Sequence, residues 1–167
     1  MFYSSTDGQY IQEGQSFVID GVTYPPQWLN QSTAEQKAAI GLEEVVATNS
    51  PANDQYYWVS TDLNGPVLTY VNTPKDLTDV KTNAIAQTNN IAYTLLFPTD
   101  WMVVKAFETS TKVPTAWNTW RAEVRTTATT VVSMIEAAPE VAIVEGVMSN
   151  INWPKHPDQV AASLVSE

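Results

Sequence analysis

Residues 95–125 read LLFPTDWMVVKAFETSTKVPTAWNTWRAEVR, and the fold follows from how this stretch is parsed. It holds three of the six Trp residues (Trp101, Trp117 and Trp120) and both arginines, Arg121 and Arg125. Two apolar-periodic segments flank a breaker-rich elbow, Ser110 to Pro114. Upstream, Leu77, Val80, Ala84, Ile91 and Leu95 recur at helical spacing, with a polar Gln87 inside the stripe. Downstream, Trp117, Trp120, Val124, Ala128, Val131 and Ile135 form the cleanest amphipathic stripe in the chain. The stretch is therefore the turn of a helical hairpin, with Trp101, Trp117, Trp120, Arg121 and Arg125 clustered where the helices meet. Pro98 breaks or kinks the first helix, because Phe97 before it is driven out of the α region. Asp100 can cap the segment that follows, on which Trp101, Val104 and Phe107 lie near one face. Pro139 closes the second helix, a short third one fits Val141 to Met148, and Trp153 is placed to fold back on the bundle.

Before Pro74 the period is that of strands. Tyr10 to Gly14 and Ser16 to Ile19 alternate, Asp20-Gly21 is a hairpin-turn dipeptide, and Val22 to Tyr24 returns to stop at Pro25-Pro26. Trp28-Leu29 offers an apolar anchor, Ser32 and Glu35 fit a capping box, and Gly41 suits the left-handed stop of that short helix. Glu43 to Val46 turns extended again. Gln55 to Ser60 and Pro66 to Val71 make a second hairpin about Asn64-Gly65. Thr73 is a plausible N-cap with Pro74 at the first helical position. The reading is an α+β chain: a β-hairpin-rich module with one short helix over 1–73, a helical hairpin module over 74–155, and a C-terminal tail over 156–167.

Composition narrows function. The chain is 44% hydrophobic and 16% charged, a globular balance, and its net charge of −10 disfavours nucleic acid and anionic membranes as partners. With no Cys, disulfides, thiolate catalysis and cysteine metal sites are excluded, and synthesis inside a cell fits. The N-terminus lacks the pattern of a signal peptide, and no window approaches the ~20 apolar residues of a membrane helix, so a soluble chain is expected.

Catalytic groups are scarce. There is no P-loop, G-x-G-x-x-G, G-x-S-x-G or H-E-x-x-H. His156, the single histidine, lies in a Pro-bounded loop with only Lys155 and Asp158 near it, and reads as a solvated loop residue. Glu43 and Glu44 point to opposite faces of a strand and cannot flank one glycosidic bond. Asn30-Gln31-Ser32 has the form of a glycosylation acceptor and, without a secretory signal, reads as chance. Alternation in Tyr56-Tyr57-Trp58 puts Tyr56 and Trp58 on one face and Tyr57 on the other. One face is core, and the other is a candidate interface or glycan contact. Arg121 and Arg125, a helical turn apart, are expected to pair within the chain, Glu108 being a candidate acid. No catalytic residue, metal or cofactor is assigned.

The chain also shows a family resemblance. Gly21 to Pro25, Trp28-Leu29, Ser32, Glu35 and Gly41-Leu42 make an opening, and Thr99-Asp100-Trp101, Val103-Val104-Lys105, Glu108, Pro114 and Arg121 to Arg125 a distal half. With Trp153-Pro154 at the close, these pieces resemble small virion or tail-fibre-associated proteins of tailed bacteriophages. Pro98 departs from the pattern and argues against a continuous helix there. The resemblance implies a non-enzymatic component of the tail (fibre, baseplate or adaptor), made in the bacterial cytoplasm and built into the virion in multiple copies beside other virion proteins. A tail-fibre assembly chaperone and a glycan-binding host-recognition module are the alternatives.

Overall fold

The structure, a computed structural model, describes residues 1–159. The chain is α+β, with small sheets preceding helices. It divides into two compact units, Met1–Thr73 and a second from Pro74 onward.

The first unit opens with a strand that alternation did not reveal, β1 (Phe2–Ser4), which lies between β2 (Gln9–Ile11) and β5 (Leu42–Glu44), antiparallel to both. β3 (Phe17–Ile19) and β4 (Val22–Tyr24) form the expected hairpin, and Asp20 and Gly21 both take positive φ, 48° and 76°, as a tight primed turn requires. The core gathers Phe2, Ile11, Phe17, Ile19, Leu29 and Leu42. Tyr24 stacks on Phe17 with ring centroids 5.0 Å apart, and Trp28 closes edge-on against both rings. Trp28 thus anchors the helical turn α1 (Trp28–Gln31).

The next helix, α2 (Ala34–Ala39), is capped one residue later than expected. Thr33, not Ser32, is the N-cap: its hydroxyl accepts from the Gln36 N–H at 3.3 Å, and Gln36 Oε1 accepts from the Thr33 N–H at 2.9 Å. Gln36 satisfies the box as well as glutamate does, so the motif fits two registers and the chain takes the later one. Glu35, displaced to the first turn, has its carboxyl held below the usual range by its own backbone N–H and then by the Thr33 hydroxyl. A third sheet joins β6 (Val46–Ala47), parallel, to β8 (Val67–Pro74), and β8 to β7 (Tyr57–Asn64). The turn of this hairpin is centred on Gly65-Pro66 and not on Asn64-Gly65. Gly65 takes φ 57° at the first central position while Asn64 stays in the strand, because Pro66 cannot be the first ladder residue of the return.

The second unit is organised by α3 (Leu77–Leu96) and α5 (Thr115–Ala137), joined by the 3-10 turn Phe97–Thr99, α4 (Asp100–Glu108) and the elbow; α6 (Val141–Ser149) follows. α3 packs on both α5 and α6. Lys81 reaches the Glu136 carbonyl while the Leu96 carbonyl meets Arg121, so α3 and α5 run antiparallel. The N-cap of α3 is Asp76, whose carboxylate accepts from the N–H groups of Thr78 and Asp79, whereas Thr73 and Pro74 finish β8. A carboxylate accepting two N–H bonds caps more strongly than the upstream threonine, and so the helix starts three residues later. The buried stripe of α3 is Val80, Ala84, Thr88 and Ala92, one turn-step away from Gln87, which is exposed. Thr88 is tolerated inside because its hydroxyl bonds the Ala84 carbonyl at 2.8 Å. On α5, Trp120, Val124, Val131 and Ile135 are buried as the stripe requires. Of the tail expected over 156–167, residues 157–159 are helical and 160–167 lie outside the described residues.

Candidate functional site

Pro98 does interrupt the helix, but not by driving Phe97 out of the α region: Phe97 keeps helical angles (φ −52°, ψ −46°), the interruption is the 3-10 turn Phe97–Thr99, and what repairs it is Arg121. With the Asp100 N–H drawn to the Phe97 carbonyl in a 3-10 bond, the Leu96 carbonyl has no α-helical donor. It accepts instead from the Thr99 hydroxyl at 2.7 Å and from Arg121 Nη1 at 3.0 Å. Arg121, only 4% exposed, also donates through Nη1 to Thr99 Oγ1 and through Nη2 to Asp100 Oδ1 at 2.6 Å. One guanidinium therefore ties α5 to a carbonyl, a hydroxyl and a carboxylate in the joint between α3 and α4. Lysine lacks the donors arranged in a fork that this requires.

Two expectations are corrected here. The acid that pairs with Arg121 is Asp100, not Glu108, because Pro98 turns the chain so that Asp100 faces α5 while Glu108 lies a further two turns out. For the same reason Asp100 makes no capping bond; α4 begins from Thr99 without a side-chain cap. Arg125 is exposed and donates to the Arg121 carbonyl at 3.3 Å.

The aromatic cluster forms, but without Trp101. Trp117 and Trp120 meet edge-on at 5.9 Å, and Trp120 Nε1 donates to the Pro154 carbonyl at 3.1 Å. Trp153 folds back against the same core, with Ala92, Leu95, Leu96, Val124 and Ala128. His156, expected in solvent, is packed edge-on against Trp117 and Trp120 at 4.6 and 5.2 Å, with Asp158 3.7 Å from Nδ1. Pro154 and Pro157 stiffen its loop and hold the ring on the indoles. Among the described residues, no group of three His, Cys, Asp or Glu side chains could hold a metal ion.

Trp101 lies instead on a surface. α4 reads DWMVVKAFE, five large apolar residues in nine, yet it has no buried residue. Trp101, Val103, Val104 and Phe107 are all exposed, Phe107 to 87%, and only Met102 and Ala106 turn partly inward. The surface runs back across the break to Phe97 and Tyr93, whose rings lie 5.4 Å apart. Lys105 lies over the Trp101 ring at 5.7 Å, and a groove of about 210 Å³ opens between Trp101, Met102, Lys112 and Pro114. The signal for this surface was present in the sequence: Trp101, Val104 and Phe107 run down one side of the helix, and Val103 lies nearly opposite Trp101. A helix apolar nearly all round is one that something covers.

The front unit divides the other candidate. Tyr56 is buried in the turn before β7, Tyr57 is half-buried, and Trp58 is 67% exposed. Tyr56 and Trp58 do not share a face, since strand alternation begins only at Tyr57. Among the described residues no helix is long and apolar enough to cross a membrane. Comparison of the chain with protein-family models, with curated proteins and with solved structures finds no match.

Proposed function

We propose that the protein is a non-enzymatic structural component of a bacteriophage tail (fibre, baseplate or adaptor) that acts through protein–protein contacts. The observation that carries this reading is α4, an apolar helix without a buried residue, held at a defined angle by a buried arginine. A monomer gains nothing from ordering four large hydrophobic side chains in water, whereas an interface does. The resemblance of the Thr99-Asp100-Trp101 to Arg125 segment to virion proteins supports a phage particle as the setting of that interface. The absence of a catalytic motif in the sequence agrees with a part that holds rather than reacts.

Quantitative mass spectrometry of purified virions tests the proposal. The protein is expected at fixed stoichiometry with tail proteins. Presence in infected cells but absence from mature particles would assign it instead to fibre assembly. The exposed Trp58 supports one other reading, a glycan contact on β7. Glycan-array binding abolished by Trp58→Ala, with reduced host adsorption, would favour that module over the structural role.

A further inference from the structure

We infer that α4 is the contact by which two copies of this chain pair, antiparallel about a two-fold axis; the inference rests on the structural reading above and names the partner of the same surface. Tyr93, Phe97, Trp101, Val104 and Phe107 leave on the order of 600 Å² of apolar surface exposed, counting ~150–250 Å² for a whole aromatic side chain. That stands at the top of the ~300–600 Å² of the largest patch on an ordinary monomer and makes up most of the ~800 Å² per partner of a stable complex.

Charge selects a second copy as the occupant. The chain carries a net charge of −10, so two copies repel over most of their surface. Between Trp101 and Trp120, however, two lysines (Lys105 and Lys112) stand against one glutamate (Glu108), and here like molecules approach with least repulsion. Lys105 and Glu108 are both exposed, of opposite sign and one turn apart, and neither has an ion-pair partner among the described residues. A two-fold contact sets residue i against j and j against i. Antiparallel pairing of two α4 helices with the two-fold axis near Phe107 therefore turns this one Lys/Glu set into two intermolecular ion pairs beside Val104 and Phe107, with Trp101 packed at either end.

Sedimentation equilibrium of the full chain tests the pairing. The wild type is expected to be dimeric in the micromolar range, and Phe107→Glu to weaken association at least ~30-fold, the effect of losing a central anchor. Because Phe107 is exposed, the variant should keep the wild-type circular dichroism. Lys105→Glu and Glu108→Lys should each weaken the dimer, and the double exchange should restore it. A wild-type monomer at ~100 μM, far above the dissociation constant of a stable pair, overturns the inference. So does a dimer indifferent to Phe107→Glu, or a double exchange that fails to recover. A monomeric chain whose Phe107→Glu variant is lost from virions assigns the face to another particle protein, leaving the structural role standing. Dimers of a chain absent from virions leave the pairing standing and remove that role.

Discussion

Ser110, in the elbow between α4 and α5, and Arg121, on α5, are under opposite constraints. Ser110 closes α4 with φ 52°, and the Thr111 N–H bonds the Ala106 carbonyl at 3.0 Å, the long bond of a Schellman turn. Glycine is the residue that takes this conformation freely, since a Cβ there costs on the order of 1 kcal/mol. Ser110→Gly is therefore expected to stabilise the protein by ~0.5–1 kcal/mol, less than the full strain because glycine also loosens the unfolded chain; urea denaturation should show a higher midpoint at unchanged slope. Arg121 is the reverse case. Arg121→Ala leaves the Leu96 carbonyl with the Thr99 hydroxyl as its remaining donor, takes away the donor to the buried Thr99 oxygen and empties a buried site, and should cost ~2–3 kcal/mol, most of it unrecovered by Arg121→Lys. Asp100→Asn should cost under ~1 kcal/mol, since the Asp100 side chain is 53% exposed. Equal losses for Arg121→Ala and Asp100→Asn in the same denaturation series would refute this division.

At the scale of elements, what was legible is what backbone chemistry dictates locally. Asp20-Gly21, the Pro98 break, the elbow and the α5 stripe can be read because each depends on residues adjacent in sequence. The capping residues slipped by one to three positions where two neighbours compete, as Ser32 and Thr33 do, or Thr73 and Asp76. Burial was least legible, for it depends on what lies opposite. Trp101 and Trp117 both belong to helical apolar sets, yet one is exposed and the other packs on Trp120 and His156, because Pro98 swings α4 away from the seam. α4 and α5 should accordingly answer mutation differently. Val124→Ala, at a fully buried site, should cost ~1.5–3 kcal/mol. Phe107→Ser, which removes a much larger side chain, should stay within ~0.5 kcal/mol when measured at protein concentrations low enough to keep the chain monomeric. A large loss at Phe107 under those conditions would mean that α4 is held by its own chain.

For the molecule as a whole, the two compact units differ in what holds them. The first, Met1–Thr73, has a core of six buried hydrophobic residues under strands mostly of three residues, with no Cys to staple it. A single core in a domain of this size rarely supplies more than ~3–5 kcal/mol. Its β7–β8 hairpin adds little burial, because β7 is exposed along nearly its whole length. The second unit rests on helices of 20 and 23 residues that pack along their length and on a buried guanidinium linking three chain positions. Subglobal opening should therefore begin in the front half. In hydrogen exchange read by mass spectrometry at rising urea, amides of β1, β3 and β5 are expected to lose protection first. The Val80-to-Ala92 face of α3 and the Trp120-to-Ile135 face of α5 should hold to higher denaturant. One shared opening free energy for the best-protected amides of both units would refute the ordering, for it would make the chain a single cooperative body whose weaker half is carried by the stronger.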